Sequence, residues 1–325
     1  MKENFKKEKP ILTLPSLGGG ANAPSVAGGG AVEPAIGQVE YTSAGTYSWT
    51  CPADGSITSV SVVCIGAGGT AQTYGATGGS LAYKNNITVT PGQTYSIVVG
   101  ETNTTSSGYG QLANAAAGDS SAFATTATGG QGGYTISQAI PGGSYKSIGS
   151  NYDGGGAGGR GSADYYAAGV GYYSGACGGA GGYSGPGGDG AYGGSSSNTN
   201  GVNATAGQGG GGGGAAHWTS NKYGGAGGGT GIYGQGSNGA AGYTSGTQST
   251  SAGRGGSNGT DGMPARGSTP TVANQPYGGQ HGGGSGILYA DTAQFPVDTS
   301  KQCGAVRFIY PGDVRQFPST RTANE

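Results

Sequence analysis

Fifty-seven of the chain's 79 glycines fall between residues 129 and 286, a stretch holding only seven Phe, Leu, Ile or Val residues. No other feature restricts the fold as strongly. Glycine loses more backbone entropy on ordering than any other residue, and it brings no side chain to a core. What it permits in return is the close approach of bare backbones. Its contiguous runs, such as Gly207-Gln-Gly-Gly-Gly-Gly-Gly-Gly214 and Gly224-Gly-Ala-Gly-Gly-Gly229, lack the strict Gly-X-Y period of collagen. They predict extended left-handed segments of threefold symmetry, packed side by side as polyglycine II helices and hydrogen-bonded laterally to several neighbours. Glycine-dense segments recur at 129–133, 154–161, 178–194, 207–214, 224–236, 253–262 and 278–286, with polar or aromatic stretches between them. This alternation of rods and loops is expected to gather the loops at the two ends of a bundle. The competing reading is low-complexity disorder; 13 tyrosines and Trp218 within the region stand against it.

A conventional core can come only from the flanks, with 13 Phe, Leu, Ile or Val residues in 41–128 and seven in 287–310. Tyr47, Trp49 and Cys51 alternate with small polar residues, and Pro52-Ala-Asp-Gly55 reads as a turn. From Ile57 to Ile65, Val60, Val62 and Cys64 fall on one strand face and Val63 and Ile65 on the other. Leu81 and Tyr83 open another strand. Ile87 and Val89, then Pro91-Gly92-Gln93, then Tyr95, Ile97 and Val99 predict a hairpin. Phe123 predicts a short strand, and Cys303 to Tyr310 a closing strand with Val306, Phe308 and Tyr310 on one face. Neither flank is large enough to stand apart. The expected fold is therefore all-β, with almost no α-helix. The two flanks form a small β-sandwich, and a large polyglycine II helix bundle is inserted between them. The expected divisions are an extended linker or attachment segment over 1–40, the first part of the sandwich over 41–128, the bundle with its loops over 129–286, closing strands over 287–312, and a tail over 313–325.

Charge narrows the partners. With 14 basic and 15 acidic residues the formal net charge is −1, which provides no basic field for nucleic acid. No apolar run reaches membrane-spanning length, so no membrane insertion is expected. The start is basic like a signal peptide, but Ile11-Leu12-Thr13-Leu14-Pro15 is too short for its hydrophobic region, and a chain without a secretory signal is expected. Cys51, Cys64, Cys177 and Cys303 form no C-x-x-C pair, which argues against a zinc site or a dense disulfide framework.

Thr46-Tyr-Ser-Trp-Thr-Cys-Pro52, Ile57 to Ile65 running into Gly66-Ala-Gly-Gly69, and Val89-Thr-Pro-Gly-Gln-Thr-Tyr-Ser-Ile-Val-Val-Gly100 resemble the glycine-rich domains of phage tail-fibre and adhesin proteins. Gly304-Ala-Val-Arg-Phe-Ile-Tyr-Pro-Gly312, with Arg315-Gln-Phe-Pro-Ser319, is similar to the terminal motif of glycine-rich virion proteins of tailed phages, notably those infecting cyanobacteria. The resemblance covers residues 41–312; in the centre it is compositional, and the 40-residue lead has no counterpart in it. It implies a polyglycine sandwich whose loops contact the host surface.

Two functions compete. The first is a virion adhesin on a tail fibre or other exposed appendage, binding a host surface polysaccharide or outer-membrane protein. Tyr and Trp supply contact area at low entropy cost, while Ser, Gly and Asn supply adaptable hydrogen bonds. The candidate contacts are Tyr165, Tyr166, Tyr172, Tyr173, His217, Trp218 and Tyr223, each of which could equally serve only to cover the bundle. Other virion proteins would be partners through the N-terminal segment or the sandwich, and a homo-oligomer is compatible with either function. The second function is a purely structural virion component of the neck, head or fibre shaft; a non-viral matrix protein is a third and weaker class. Catalysis is not expected. The two histidines, His217 and His281, are far apart in glycine-rich sequence without a nucleophile–base–orienter set. Gly66-Ala-Gly-Gly-Thr-Ala71 leads into no helix, so it fails as a dinucleotide fingerprint. No cofactor or metal is implied.

Overall fold

A computed structural model describes residues 32–70, 75–102, 116–130, 148–162, 175–191, 204–216, 224–245, 249–266, 277–285 and 302–319. Thirteen strands occur there: β1 (Gly37–Tyr41), β2 (Gly45–Thr50), β3 (Ser59–Ile65), β4 (Leu81–Thr88), β5 (Thr94–Val99), β6 (Ser120–Ala122), β7 (Thr125–Ala127), β8 (Gly149–Ser150), β9 (Gly154–Gly156), β10 (Thr244–Ser245), β11 (Ser249–Thr250), β12 (Ala265–Arg266) and β13 (Ala305–Tyr310). No helix occurs among the described residues, so the fold is all-β as expected. One five-stranded antiparallel sheet has the order β1-β13-β3-β4-β9, and a second has β2-β5-β6-β7-β8. A three-stranded ribbon, β10-β11-β12, stands apart from both.

The closing strand is the second of its sheet. β13 pairs with β1 on one side, with Val39 opposite Phe308. It pairs with β3 on the other, with Phe308 opposite Val62. Val60, Val62, Cys64, Val306 and Phe308 face inward with Ile97, Val99 and Ala122 of the second sheet. At the centre, Phe308 meets Trp49 at 4.9 Å and Phe123 at 5.0 Å between ring centroids, both edge-on. That tilted geometry is the one aromatic quadrupoles favour.

The opposite face of the first sheet is also buried. Val63, Ile65, Leu81 and Ile309 pack there against Tyr183 and Ile232 of the glycine-rich region and against Phe317. Arg307, fully buried on that face, donates from Nη1 to Ile232 O (3.3 Å). It donates from Nη2 to Gln38 Oε1, and its Nε lies 3.6 Å from Glu40 Oε1. Its guanidinium stacks 4.8 Å above the Tyr233 ring, and Tyr233 OH donates to Glu40 Oε2 (3.0 Å). One cation thus ties β1, β13 and a turn of the bundle together.

The bundle is held by backbone. In segment 175–182 the N–H groups of Ala176 and Gly179 donate to Ala191 and Gly188, those of Cys177 and Ala180 to Gly225 and Gly228, and those of Gly178 and Gly181 to Ala76 and Gly79, at 2.9–3.3 Å. Every third residue reaches the same neighbour, so successive donors turn by a third of a circle. This is the lateral bonding of a threefold helix, where a β-strand would alternate between two sides. The carbonyls of the same segment accept from 156–162, 210–216 and 284. Segment 175–182 is therefore bonded to six neighbours, the arrangement of a polyglycine II lattice. Segments 210–216 and 224–231 repeat the period: Gly225 and Gly228 donate to Ala215 and Gly212, Ala226 and Gly229 to Met263 and Thr260, and Gly227 and Thr230 to Gly284 and His281.

Such spacing leaves no room for Cβ at most positions. One built on Gly179 would fall inside 3.0 Å of Gly211 O, one on Gly181 inside 3.0 Å of Gly156 O, and one on Gly211 inside 3.0 Å of Gly228 O. The buried non-glycine positions carry small side chains, Ala176, Ala180, Ala215 and Ala226 among them. Cys177 joins the network: its Sγ accepts from Ala76 N (3.2 Å) and donates to Ser285 O (2.7 Å). Burial pushes this thiol up to about 12, which keeps it protonated and unreactive.

Three local expectations are corrected. Residues 90–93 do form the turn read from Pro91-Gly92, with Gln93 N bonded to Thr90 O (3.0 Å) and Gly92 at φ +76°. The strands it joins do not pair, however. β4 lies in the first sheet between β3 and β9, and β5 lies in the second between β2 and β6, so the turn is an arch across the sandwich. Leu81 of β4 belongs to the cluster on the outer face of the first sheet, whereas Ile87 packs on the inner cluster that holds Ile97 and Val99. Phe123 is not in a strand but at the tip of the β6–β7 hairpin, where it and Ala124 have φ of +49° and +64°. A type I′ turn needs positive φ at both central residues and normally takes Asn-Gly; here burial of the Phe123 ring between Trp49 and Phe308 compensates. Thirdly, the loops do not divide between two ends of the bundle, as described below. Of the segment 1–40, residues 37–40 belong to β1; of 313–325, residues 313–319 fold back so that Asn85 brackets the backbone of Phe317, Nδ2 to O and N to Oδ1, both 2.8 Å.

Removing residues 303–325 should leave β1 without a partner and expose the β3 edge, a template for aggregation. Soluble, protease-resistant truncated protein would contradict this topology. Gly179→Ala, Gly181→Ala and Gly211→Ala should each destabilise by about 3 kcal/mol or more, the upper range for overpacking, because backbone rather than a movable side chain blocks the new methyl. Thermal melts of the three variants, with Gly55→Asn as control at a half-buried position where a Cβ meets nothing within 4 Å, check it.

Candidate functional site

The chain runs repeatedly away from the sandwich and back. Ile65 of β3 continues into 66–70, Val99 of β5 into 100–102, Ala127 of β7 into 128–130 and Gly156 of β9 into 157–162. Segments 75–80, 116–118 and 302–304 lead back into β4, β6 and β13. Within the bundle, the rods turn tightly at the sandwich end. Tyr183 and Ile232 occupy two of these turns and pack on the first sheet. Ser257 and Asn258 occupy a third, with φ of +49° and +64° and Gly259 N bonded to Gly256 O (2.8 Å).

At the far end the described residues stop and resume in nine places. Backbone bonds link the stubs to one another. Gly75 N donates to Ser162 O (3.0 Å), Ser162 N to Ala176 O (2.9 Å), Ala176 N to Ala191 O (3.3 Å) and Ala191 N to Gly214 O (3.0 Å). Ala215 N reaches Ser251 O (3.1 Å), Ser251 N reaches Tyr243 O (3.0 Å) and Met263 N reaches Tyr277 O (2.8 Å). On the sheet side Ser285 N donates to Gly69 O (3.0 Å), Gly68 N to Gln302 O (3.0 Å) and Ala117 N to Gly130 O (2.8 Å). All nine intervening segments therefore leave from one end, not two. Ala176, Ala191, Ala204 and Ala216 form a buried alanine layer beneath it, with Ala241 beside them. Ser162 knots the layer, accepting from Ala176 N (2.6 Å) and donating to Ala176 O (3.1 Å) and Ala191 O.

Tyr165, Tyr166, Tyr172 and Tyr173 belong to segment 163–174, and His217, Trp218 and Tyr223 to segment 217–223; all seven lie outside the described residues. What the structure does place is their anchors. The first segment hangs between Ser162 and Gly175, the second between Ala216 and Gly224, which form an antiparallel bridge. The nine segments carry 11 of the 21 tyrosines and Trp218, but only six charges, Lys146, Asp164, Lys222, Asp291, Asp298 and Lys301, which cancel.

Sequence reasoning missed the single-sidedness. Among the described residues, 178–191, 224–243, 253–262 and 278–285 each hold two rods joined by a tight turn. The signal was present in the short non-glycine interruptions, Tyr183-Ser184, Ile232-Tyr233, Ser257-Asn258 and Gln280-His281. Each is too short to be more than a turn, and two are of the type that tolerates positive φ.

Among the described residues, no group of three or more His, Cys, Asp or Glu side chains could hold a metal ion, and no helix is long and apolar enough to cross a membrane. No protein-family model matches the chain, and no curated protein matches it.

His281 sits at the tip of its turn with φ +60°. Burial pulls its pKa down from 6.5 to about 4, against a partial upward pull from a hydrogen bond with the Gly304 backbone. Between pH 6.5 and 4 the unfolded chain binds a proton at this site that the folded chain does not. Stability is therefore full above pH 6.5 and falls as the pH drops towards 4, by up to about 3 kcal/mol. His281→Asn, which suits the left-handed backbone, should flatten this part of the melting-temperature profile. An equal slope in wild type and variant between pH 6.5 and 4 would contradict it.

Proposed function

We propose that this chain is a tail-fibre or adhesin-type virion protein of a tailed phage, recognising a polysaccharide or outer-membrane protein on the host surface through segments displayed at one end of a polyglycine II bundle. The observation that carries this reading is the anchoring at one end of nine segments that together hold 11 tyrosines and Trp218 and no net charge. A scaffold that turns tightly at one end and opens long segments only at the other separates recognition from folding, as rigid frameworks with clustered loops do elsewhere. The composition of the segments, rich in Tyr, Ser, Asn, Thr and Gly, is that of an adaptable contact surface. The flank motifs that resemble glycine-rich virion proteins support the same reading. The purely structural alternative would instead bury these aromatics against other subunits.

Replacing His217, Trp218 and Tyr223 together with Ser should leave the melting temperature within a few degrees of wild type, because none of the sandwich or rod residues is altered. Adsorption of the isolated protein to host cells should weaken at least tenfold, since truncating an aromatic anchor costs on the order of 2 kcal/mol. Multivalency can mask such a loss on intact particles, so the isolated protein is the informative form. Undiminished adsorption after replacing several of the nine segments at once would favour the structural alternative.

A further inference from the structure

The end of the sandwich opposite the nine segments has its own chemistry. It is formed by residues 33–37, the β2–β3 turn and residues 311–316, and hydrogen bonds join these into one surface. Ala35 N donates to Ser56 O (2.9 Å), Gly312 N to Ser59 O (3.0 Å), and Arg315 Nη1 to Gly37 O (2.6 Å) and Tyr310 O (3.1 Å). Ile36 and Val314 flank the last contact and are 69% and 77% exposed, the two most exposed large hydrophobic residues described. Around them Glu33, Asp54 and Asp313 are exposed. Ser56 hydrogen bonds hold Asp54 below the usual carboxylate range. Arg315, the cation of this surface, is buried and turned to backbone carbonyls. Two bulky aliphatic side chains fixed on a hydrogen-bonded frame and rimmed by carboxylates differ from hydrophobic residues scattered singly over a surface.

We infer that this pole is the docking surface for a partner protein whose contact patch is apolar at its centre and basic at its rim. An apolar centre with a charged rim is the ordinary anatomy of a protein interface, and the acidic rim selects the sign of the partner. The same acidity opposes pole-to-pole pairing of two copies of this chain. The position fits attachment: residues 33–37 lead into β1 at this pole, and the recognition segments of the proposed function are anchored at the other end. The inference rests on the reading of the protein as a virion component.

The test is incorporation into particles, measured as copies of this protein per particle by quantitative mass spectrometry. Ile36→Asp combined with Val314→Asp, both at exposed positions, should lower the copy number at least tenfold. Asp54→Lys with Asp313→Lys should do so as well, and more strongly at low salt. Unchanged melting temperature and unchanged adsorption of the isolated variants to cells are expected alongside. Normal incorporation of both variants, with wild type present, overturns the docking surface and leaves the virion reading standing. Loss on deleting residues 2–31 but not in the pole variants assigns attachment to the leading segment and overturns it too. A wild-type protein that sediments as an oligomer and becomes monomeric in the pole variants makes the occupant a second copy and overturns the partner. Wild-type protein absent from particles overturns both readings.

Discussion

Backbone-to-backbone hydrogen bonding between rods, at a separation only glycine permits, is the interaction on which the rest of the molecule depends. Segment 175–182 bonds to six neighbours through its own N–H and C=O groups, so burial of polar backbone, ordinarily costly, is satisfied in all directions. No side-chain core is needed there, and almost none is present. The entropy lost in ordering glycine is opposed by lateral bonds and dispersion contact at close range. The same constraint explains the restricted alphabet of rods 175–182, 210–216 and 224–231: the side chains admitted there are Ala, Thr and the thiol of Cys177, which itself takes part in hydrogen bonding.

The lattice needs a boundary, and the sandwich supplies it. Strands β3 and β9 run straight into rods and rods lead straight into β4 and β13, so the first sheet fixes the spacing and direction of the first layer. Its outer face, with Val63, Ile65, Leu81 and Ile309, receives the turns that bear Tyr183 and Ile232. Arg307 is central to this joint. A buried guanidinium is expensive unless its bonds are met; here it meets Gln38, Glu40, the carbonyl of Ile232 and the face of Tyr233. It therefore sets β1 and the bundle in one register with β13.

This construction gives the molecule two unlike ends. Rods that return through two-residue turns on the sandwich side have nowhere to place long segments except the far side. The far end thus gathers sequence that is aromatic, polar and free of net charge, while the sandwich pole presents aliphatic side chains rimmed by carboxylates. The proposed function assigns recognition to the far end, and the docking inference built on that reading assigns attachment to the sandwich pole.

Much of this was legible from the sequence. The face assignments of Val60, Val62 and Cys64 against Val63 and Ile65 follow from period-two alternation, which depends only on local backbone geometry. The lateral packing of glycine runs follows from the absence of Cβ. The Pro91-Gly92 turn was legible as a turn, because φ preferences are local, but whether its strands pair or part to different sheets depends on partners far along the chain. Phe123 reads as a strand residue by propensity, and only the ring's burial between Trp49 and Phe308 explains its place in a strained turn. The seven candidate contacts were selected by composition, and the structure speaks to their anchors alone. Sequence thus determined the class of fold and the chemistry of its parts, since both follow from what each residue's own backbone and side chain allow. Tertiary structure decided which strands pair, and that every long segment leaves from the same end, because direction in a lattice is set by the neighbour each rod hydrogen-bonds and not by the rod itself.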